Sequence, residues 1–195
     1  MNPATPLRLP AAALVALLLC ACQGTTFRAA PVADAGCDPA LAGTWLSQDE
    51  DPEDVGEVIL RIDARCRLHV DERKPEGLKR GDGVQAHVGR HGSHRYAWVD
   101  ARWVHTRFEE AHVPPAGDVY LMRYAIEGGV LSLWTTDDKL IAHAIIDNEL
   151  TGEVISRDSR LFNRLTGEAD PAVLDRPGFF KAEPAQFRRA TETAR

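Results

Sequence analysis

From Leu41 to Ser156 the chain repeatedly alternates apolar and polar residues at a period of two, which is the pattern of half-buried β-strands. The first candidate strand is Leu41–Ser47. Glu57–Asp63 follows with Val58, Leu60 and Ile62 on one face, then Cys66–Val70 with Cys66, Leu68 and Val70 on one face. Asp63-Ala64-Arg65 connects these two tightly, so they read as a hairpin. Beyond a polar, Gly-rich loop at Asp71–Gly83, a short strand is predicted at Val84–Val88 and a long one at Tyr96–Phe108. In the long one Tyr96 and Trp98 keep one phase and Ala101 and Trp103 the other, which predicts a bulge near Asp100.

The second half is more regular. After the breakers Val113-Pro114-Pro115-Ala116-Gly117 come strands at Asp118–Ile126, Val130–Thr135, Leu140–Ile146 and Leu150–Ser156. They are separated by turns at Glu127-Gly128-Gly129, Thr136-Asp137-Asp138-Lys139 and Asp147-Asn148-Glu149. Evenly spaced short strands are the mark of an antiparallel meander. The tail is less regular: Asp170 followed by Pro171 predicts a capped helical turn, Pro177-Gly178 ends it, and Phe179, Phe180 and Phe187 are expected to pack on the domain.

The first residues follow a different pattern. Arg8 precedes an apolar run, Leu9–Leu19, broken only by Pro10, and small residues follow, which is the layout of a secretory signal peptide at 1–21. The run is shorter than the roughly 20 residues a membrane-spanning helix needs, so a retained anchor is the less favoured alternative. Leu19-Cys20-Ala21-Cys22 resembles the bacterial lipoprotein signal, and the resemblance implies cleavage before Cys22, its acylation with palmitate-type chains, and a lipid anchor. Gln23, where an Asp would favour inner-membrane retention, implies delivery to the periplasmic face of the outer membrane of a Gram-negative cell. Thr25–Gly36, rich in Ala, Thr and Pro without periodicity, is expected to be a flexible tether within a lipidated segment at 22–36. The folded domain is then expected at 37–165 and a partly packed extension at 166–195.

Gly43-Thr44-Trp45 has the Gly-x-Trp form found on the opening strand of lipocalin-like barrels, where the Trp plugs one end. Together with the strand count, this predicts an all-β fold: a single antiparallel lipocalin-like barrel of eight or nine strands with a short C-terminal helical turn.

Charge narrows the partners. Loss of Arg8 with the signal leaves 22 basic against 29 acidic residues, a net −7, which argues against nucleic acid. With Cys20 removed and Cys22 acylated, Cys37 and Cys66 form an even pair in an oxidising compartment, predicting a disulfide. Closing a loop of about 30 residues contributes roughly 3 to 4 kcal/mol in the chain-entropy picture.

Candidate chemistry is sparse. His87, His91 and His94, with His105 and His112 further on, offer imidazoles for zinc, copper or nickel, but Gly89, Gly92 and Ser93 among them describe a solvated loop, and no metal or cofactor is expected. The acidic run Asp49–Asp54 lacks the glycine of a calcium loop at its sixth position and reads as a solvated rim. There is no nucleophile elbow, zinc-protease helix or phosphate-cradling loop, and Asp158-Ser159 with a distant His is no more than a chance trio, so the chain is not expected to be an enzyme. Trp98, Trp103, Tyr120, Tyr124 and Trp134 fall on predicted strands, as core or as the lining of an apolar pocket. Two functions remain open. One is a non-catalytic module binding a small apolar or amphipathic ligand. The other is a protein-interaction module: an envelope-complex subunit, or an inhibitor or immunity protein whose acidic loops engage a basic periplasmic hydrolase.

Overall fold

Strand β9 (Val119–Glu127) is the hub of the molecule, pairing with three others along its length. In a computed structural model describing residues 23–48, 57–108, 112–157 and 160–191, the described residues form thirteen strands in one sheet, with two short α-helices. Along the chain come β1 (Gln23–Phe27), β2 (Gly43–Ser47), β3 (Glu57–Ile62), β4 (Arg67–Lys74), β5 (Gly77–Lys79), β6 (Val84–Gln85), β7 (His87–His91) and β8 (His94–Asp100). Helix α1 (Ala101–Phe108), β9, β10 (Val130–Trp134), helix α2 (Asp138–Ile146), β11 (Gly152–Arg157), β12 (Arg160–Leu165) and β13 (Ala185–Arg189) complete it. The strand order is β11-β12-β1-β9-β10-β13-β2-β3-β4-β5, with β6 also on β4 and the β7–β8 hairpin on β9. Every pairing is antiparallel except β1 with β12. The fold is thus mostly β, but the expected single barrel of eight or nine strands gives way to a thirteen-stranded sheet that does not close into one.

Several expected features are present. The β3–β4 turn is held by Asp63, whose Oδ1 accepts from the backbone N–H of Arg65 and of Arg67, each at 2.8 Å. The β9–β10 turn is the two-residue Gly128-Gly129, at φ 57° and 80°, left-handed values that match the strand twist and suit glycine. Cys37 and Cys66 are joined, tying the segment before β2 to the start of β4. Asp170 caps a 3-10 turn at Pro171–Asp175, and Phe179, Phe180 and Phe187 are buried.

Trp45 is fully buried. Its Nε1 donates to the Leu41 carbonyl at 2.8 Å, and the Arg189 guanidinium lies 4.1 Å from its ring centroid. Arg189 is held there by donating to the Ala40 and Ala42 carbonyls, each at 2.6 Å. The indole is therefore satisfied at its one polar atom and covered by a cation on its face.

Both predicted segments that turned out helical carry a cap. The phase change near Asp100 is the start of α1: Asp100 Oδ1 accepts from the Trp103 N–H at 3.0 Å, and Ala101 and Val104 face inward one turn apart. Leu140–Ile146, expected as a strand, belongs to α2, because Asp137 caps the Leu140 N–H and Ile141, Ala142, Ala144 and Ile145 are buried at helical spacing.

The expected tether is likewise corrected. Its first residues form β1, with Thr25 and Phe27 buried, and the following residues run across β7, where the Ala35 N–H donates to the Val88 carbonyl. Gly89 makes that crossing possible, since a Cβ there would lie 2.5 Å from the Ala33 carbonyl oxygen. The C-terminal residues are no extension either: β13 lies between β10 and β2.

What holds β1 is a buried polar knot. Asp138 Oδ1 accepts from Thr25 Oγ1 at 2.7 Å and Thr136 Oγ1 at 2.8 Å. Asn163 Nδ2 donates to Thr25 Oγ1 at 3.1 Å and to the Asp138 carbonyl at 2.7 Å. Burial pushes the Asp138 carboxyl up to about 6 against these hydrogen bonds. An acid whose folded pKa is raised contributes its full stability below the unfolded value near 4 and loses it as pH rises through about 6.

Two outcomes follow. Trp45→Ala destabilises the domain by about 3 to 5 kcal/mol in urea denaturation, as removal of a buried Trp does. Asp138→Asn removes a fall in stability of about 3 kcal/mol between pH 4 and pH 7, so the wild-type and variant denaturation midpoints converge at low pH and separate at neutral pH.

Candidate functional site

Both faces of β8 and β9 are buried, and the two faces serve different cores. Tyr96, Trp98 and Leu121 point to one side, toward Phe27, Ile141 and Phe179. Ala97, Val99 and Tyr124 point to the other, toward the β2–β4 side of the sheet. On that second side the packing is incomplete and leaves a cavity of about 120 Å³.

Its walls come from seven elements. Val58 and Leu60 of β3 and Leu68 and Val70 of β4 form one side; Val99 of β8, Tyr120 and Met122 of β9 and Leu133 of β10 form the other. Ala185 and Phe187 of β13 contribute as well, and α1 lays Trp103, Val104 and Phe108 against it. The β3 and β4 residues are there because strand alternation puts every second side chain on one face. The lining is almost wholly apolar, the exceptions being the hydroxyls of Tyr120 and Thr135; the buried Thr135 Oγ1 has no hydrogen-bond partner among the described residues.

Helix α1 is fastened over this cavity by polar contacts at its edges. Arg107 Nη2 donates to Glu72 Oε1 at 2.7 Å and to the Val70 carbonyl at 3.2 Å, with the Arg107 side chain only 8% exposed. Arg102 Nε donates to the Pro114 carbonyl at 3.0 Å and Trp103 Nε1 to the Asp82 carbonyl at 3.3 Å. An ion pair this sheltered is screened less than a surface pair. Asp71, one strand position away, has its carboxyl held below the usual range, the Arg61 guanidinium and the Gly81 N–H overcoming the effect of burial.

Of the five aromatic residues expected to line a pocket, Trp103 and Tyr120 do so. Tyr124 is buried in the core and donates its hydroxyl to Asp38 Oδ2 at 2.8 Å; burial and that carboxylate raise its pKa. Trp98 lies on the opposite face, stacked on His87 with centroids 5.8 Å apart. Trp134 carries the Arg123 guanidinium over its ring at 4.6 Å, beside a separate surface recess.

The histidines do not converge. The segment expected as their loop is the β7–β8 hairpin, in which His91 faces His94 across the ladder and His87 faces Trp98. His87 Nδ1 lies 2.7 Å from Asp34 Oδ2 and His91 Nε2 2.8 Å from Asp175 Oδ2, so the two pair with carboxylates from different segments. His112 packs on Phe162, and burial lowers its pKa. Among the described residues there is no group of three His, Cys, Asp or Glu able to hold a metal. Cys20, Cys22, Asp49–Asp54 and Asp158-Ser159 lie outside the described residues.

The cavity's aliphatic walls were already marked by the alternation of β3 and β4; the contribution of α1 was hidden because its residues read as strand. No protein-family model matches the chain, and neither a curated protein nor a solved structure matches it.

Arg107→Ala unlatches α1 while leaving the sheet intact. The expected result is faster hydrogen exchange confined to Val104–Phe108, with a stability loss of about 1 to 3 kcal/mol for the lost hydrogen bonds to Glu72 and the Val70 carbonyl and for the unfilled space, Lys74 at 3.6 Å remaining as a partner of Glu72.

Proposed function

We propose that this chain is a lipid-anchored envelope protein whose cavity holds a small apolar or amphipathic molecule without transforming it. The observation that carries the reading is the cavity itself: about 120 Å³, walled by Val, Leu, Met and aromatic side chains from seven elements, in a protein that otherwise packs both faces of its central strands. A dry apolar cavity of about 150 Å³ takes up benzene, so this volume suits one ring or a short alkyl chain rather than a long acyl chain.

A lipocalin-like cup is supported by the strand pairing. Strands β6 and β7 are separated by Ala86 alone, β6 pairing with β4 and β7 with β8, so the pairing path from β2 round to β13 bends toward a cup with the cavity inside. Trp45, under Arg189, would plug one end of that cup. The anchor rests on the Leu19–Cys22 pattern, with Cys22 acylated and the domain delivered to the periplasmic face of the outer membrane.

Toluene and 1-hexanol, titrated while methyl NMR signals of Val99 and Leu133 are followed, are expected to give saturable shifts with dissociation constants of roughly millimolar or tighter. Val99→Phe fills the space and abolishes the shifts; non-saturable, surface-wide changes in the wild type contradict the reading. For the anchor, incorporation of labelled palmitate is expected in the wild type and in Cys20→Ser but not in Cys22→Ser, and undiminished labelling of Cys22→Ser contradicts it.

A further inference from the structure

Strand β8 pairs with β9 only as far as Arg95 opposite Tyr124, whereas β9 runs on to Glu127, paired with Val130 of β10. The tips of the β7–β8 and β9–β10 hairpins therefore stand apart at the same end of the sheet, and between them lies a recess of about 390 Å³. Ser93, His94 and Arg95 come from one side of it and Ala125, Ile126 and Glu127 from the other, with Arg123 and Trp134 adjoining. It shares no lining residue with the cavity under α1.

Arg123 is half-buried here, its guanidinium 4.6 Å from the Trp134 ring centroid and 5.2 Å from that of Phe180. The ladder fixes this placing, since Arg123 lies opposite Tyr96 on one side and Trp134 on the other. Two other arginines stand over aromatic rings, and both also have acceptors: Arg107 donates to Glu72 and the Val70 carbonyl, Arg189 to the Ala40 and Ala42 carbonyls. Arg123 has its rings and no acceptor among the described residues. Much of the side chain's freedom is already spent, while its fork of N–H donors has no partner in the protein.

The recess is not a simple excess of positive charge. Asp38 pairs with Arg95 at 3.3 Å and accepts from Tyr124, and Asp175 pairs with His91 across the β7–β8 hairpin. The exposed Arg90 stands opposite Arg95, and Glu127 lines the recess without pairing with Arg123. With positive and negative side chains this close to balance, a monoanion that takes the one vacant fork suits the recess better than a dianion facing Glu127.

We infer that this recess is a second binding site, for a small organic carboxylate whose two oxygens accept from the Arg123 guanidinium and whose organic part lies between the hairpin tips. Trp134 and Phe180 hold the guanidinium ready, so the ligand meets a fork that is already oriented. The site depends neither on the lipid anchor nor on occupancy of the apolar cavity.

Benzoate is titrated into the full-length, isotope-labelled protein while the NMR signals of the Arg123 Nε–H and the Trp134 indole N–H are followed. Both are expected to shift and saturate, with a dissociation constant of roughly a millimolar. Benzyl alcohol, of similar size but neutral, is expected to give no saturable shift at either, and phenyl phosphate to bind more weakly than benzoate. Arg123→Gln is expected to weaken benzoate binding by about tenfold or more, and Glu127→Gln, which removes the opposing carboxylate, to tighten it about two- to threefold. Arg73→Gln, an equal change of net charge on the distant β4, is expected to leave it unchanged. Unsaturated signals in the wild type, benzyl alcohol binding as well as benzoate, or an equal affinity in Arg123→Gln overturns the site. Equal weakening by Arg73→Gln overturns it too, and tighter binding of phenyl phosphate overturns the carboxylate assignment. Should Arg123→Gln not fold, the wild-type titration decides alone, because its two signals belong to the guanidinium and the ring beneath it.

Discussion

A buried carboxylate governs how this chain begins. Asp138 stands in the first turn of α2 with Thr25 and Thr136 donating to one of its oxygens, and Asn163 bridges from β12 to both Thr25 and the Asp138 backbone. Burying an acid is costly unless hydrogen bonds and a favourable dipole offset it, and here the helix N-terminus and two hydroxyls do so in part. The raised pKa is what remains of the cost. In return, a segment whose strand carries one large apolar side chain, Phe27, is tied to α2 and β12. From that follows the place of β1, between β12 and β9.

The cavity rests on a different balance. Strands β8 and β9 bury both faces, so neither side of them can relax toward solvent, and the aromatic residues concentrate on the α2 side, with Tyr96, Trp98, Phe179 and Phe180 packed together. The opposite side is filled mainly by Val and Leu, whose smaller volume leaves space under α1. A short helix latched by Arg107 covers that space with far fewer buried contacts than a sheet would make, and such weakly held elements are where ligands gain entry. The covering of that space thereby depends on one ion pair and one helix.

Much of the architecture is legible in the residues. The β3–β4 and β9–β10 hairpins, the Cys37–Cys66 bridge and the Asp170 cap all rest on local rules of period, turn chemistry or cysteine number, whereas the burial of Trp45 was expected only from the Gly-x-Trp resemblance. Of the elements that escaped, β5 and β12 among them, four did so for reasons visible in their residues. Thr25 is buried by hydrogen bonding and so leaves no apolar alternation in β1. In α1 and α2 the small and branched residues match both periods, and only the caps Asp100 and Asp137 tell them apart. Strand β13 has two inward residues, Ala185 and Phe187, and gains its place from β10 and β2 rather than from its own sequence. Within the site, Trp103 and Tyr120 were found from residue type, whereas Tyr124 and Trp98 shared that type and face elsewhere, because face depends on a register only the folded sheet supplies.

The claim most of this depends on is that the chain is structured from its first residues after Cys22, with β1 an integral strand. Amide hydrogen exchange of the native protein, read at Thr25, Thr26 and Phe27, tests it directly. The structure predicts protection comparable to that of Leu121 in β9, whereas exchange at the rate of an unstructured linker at these three amides contradicts it.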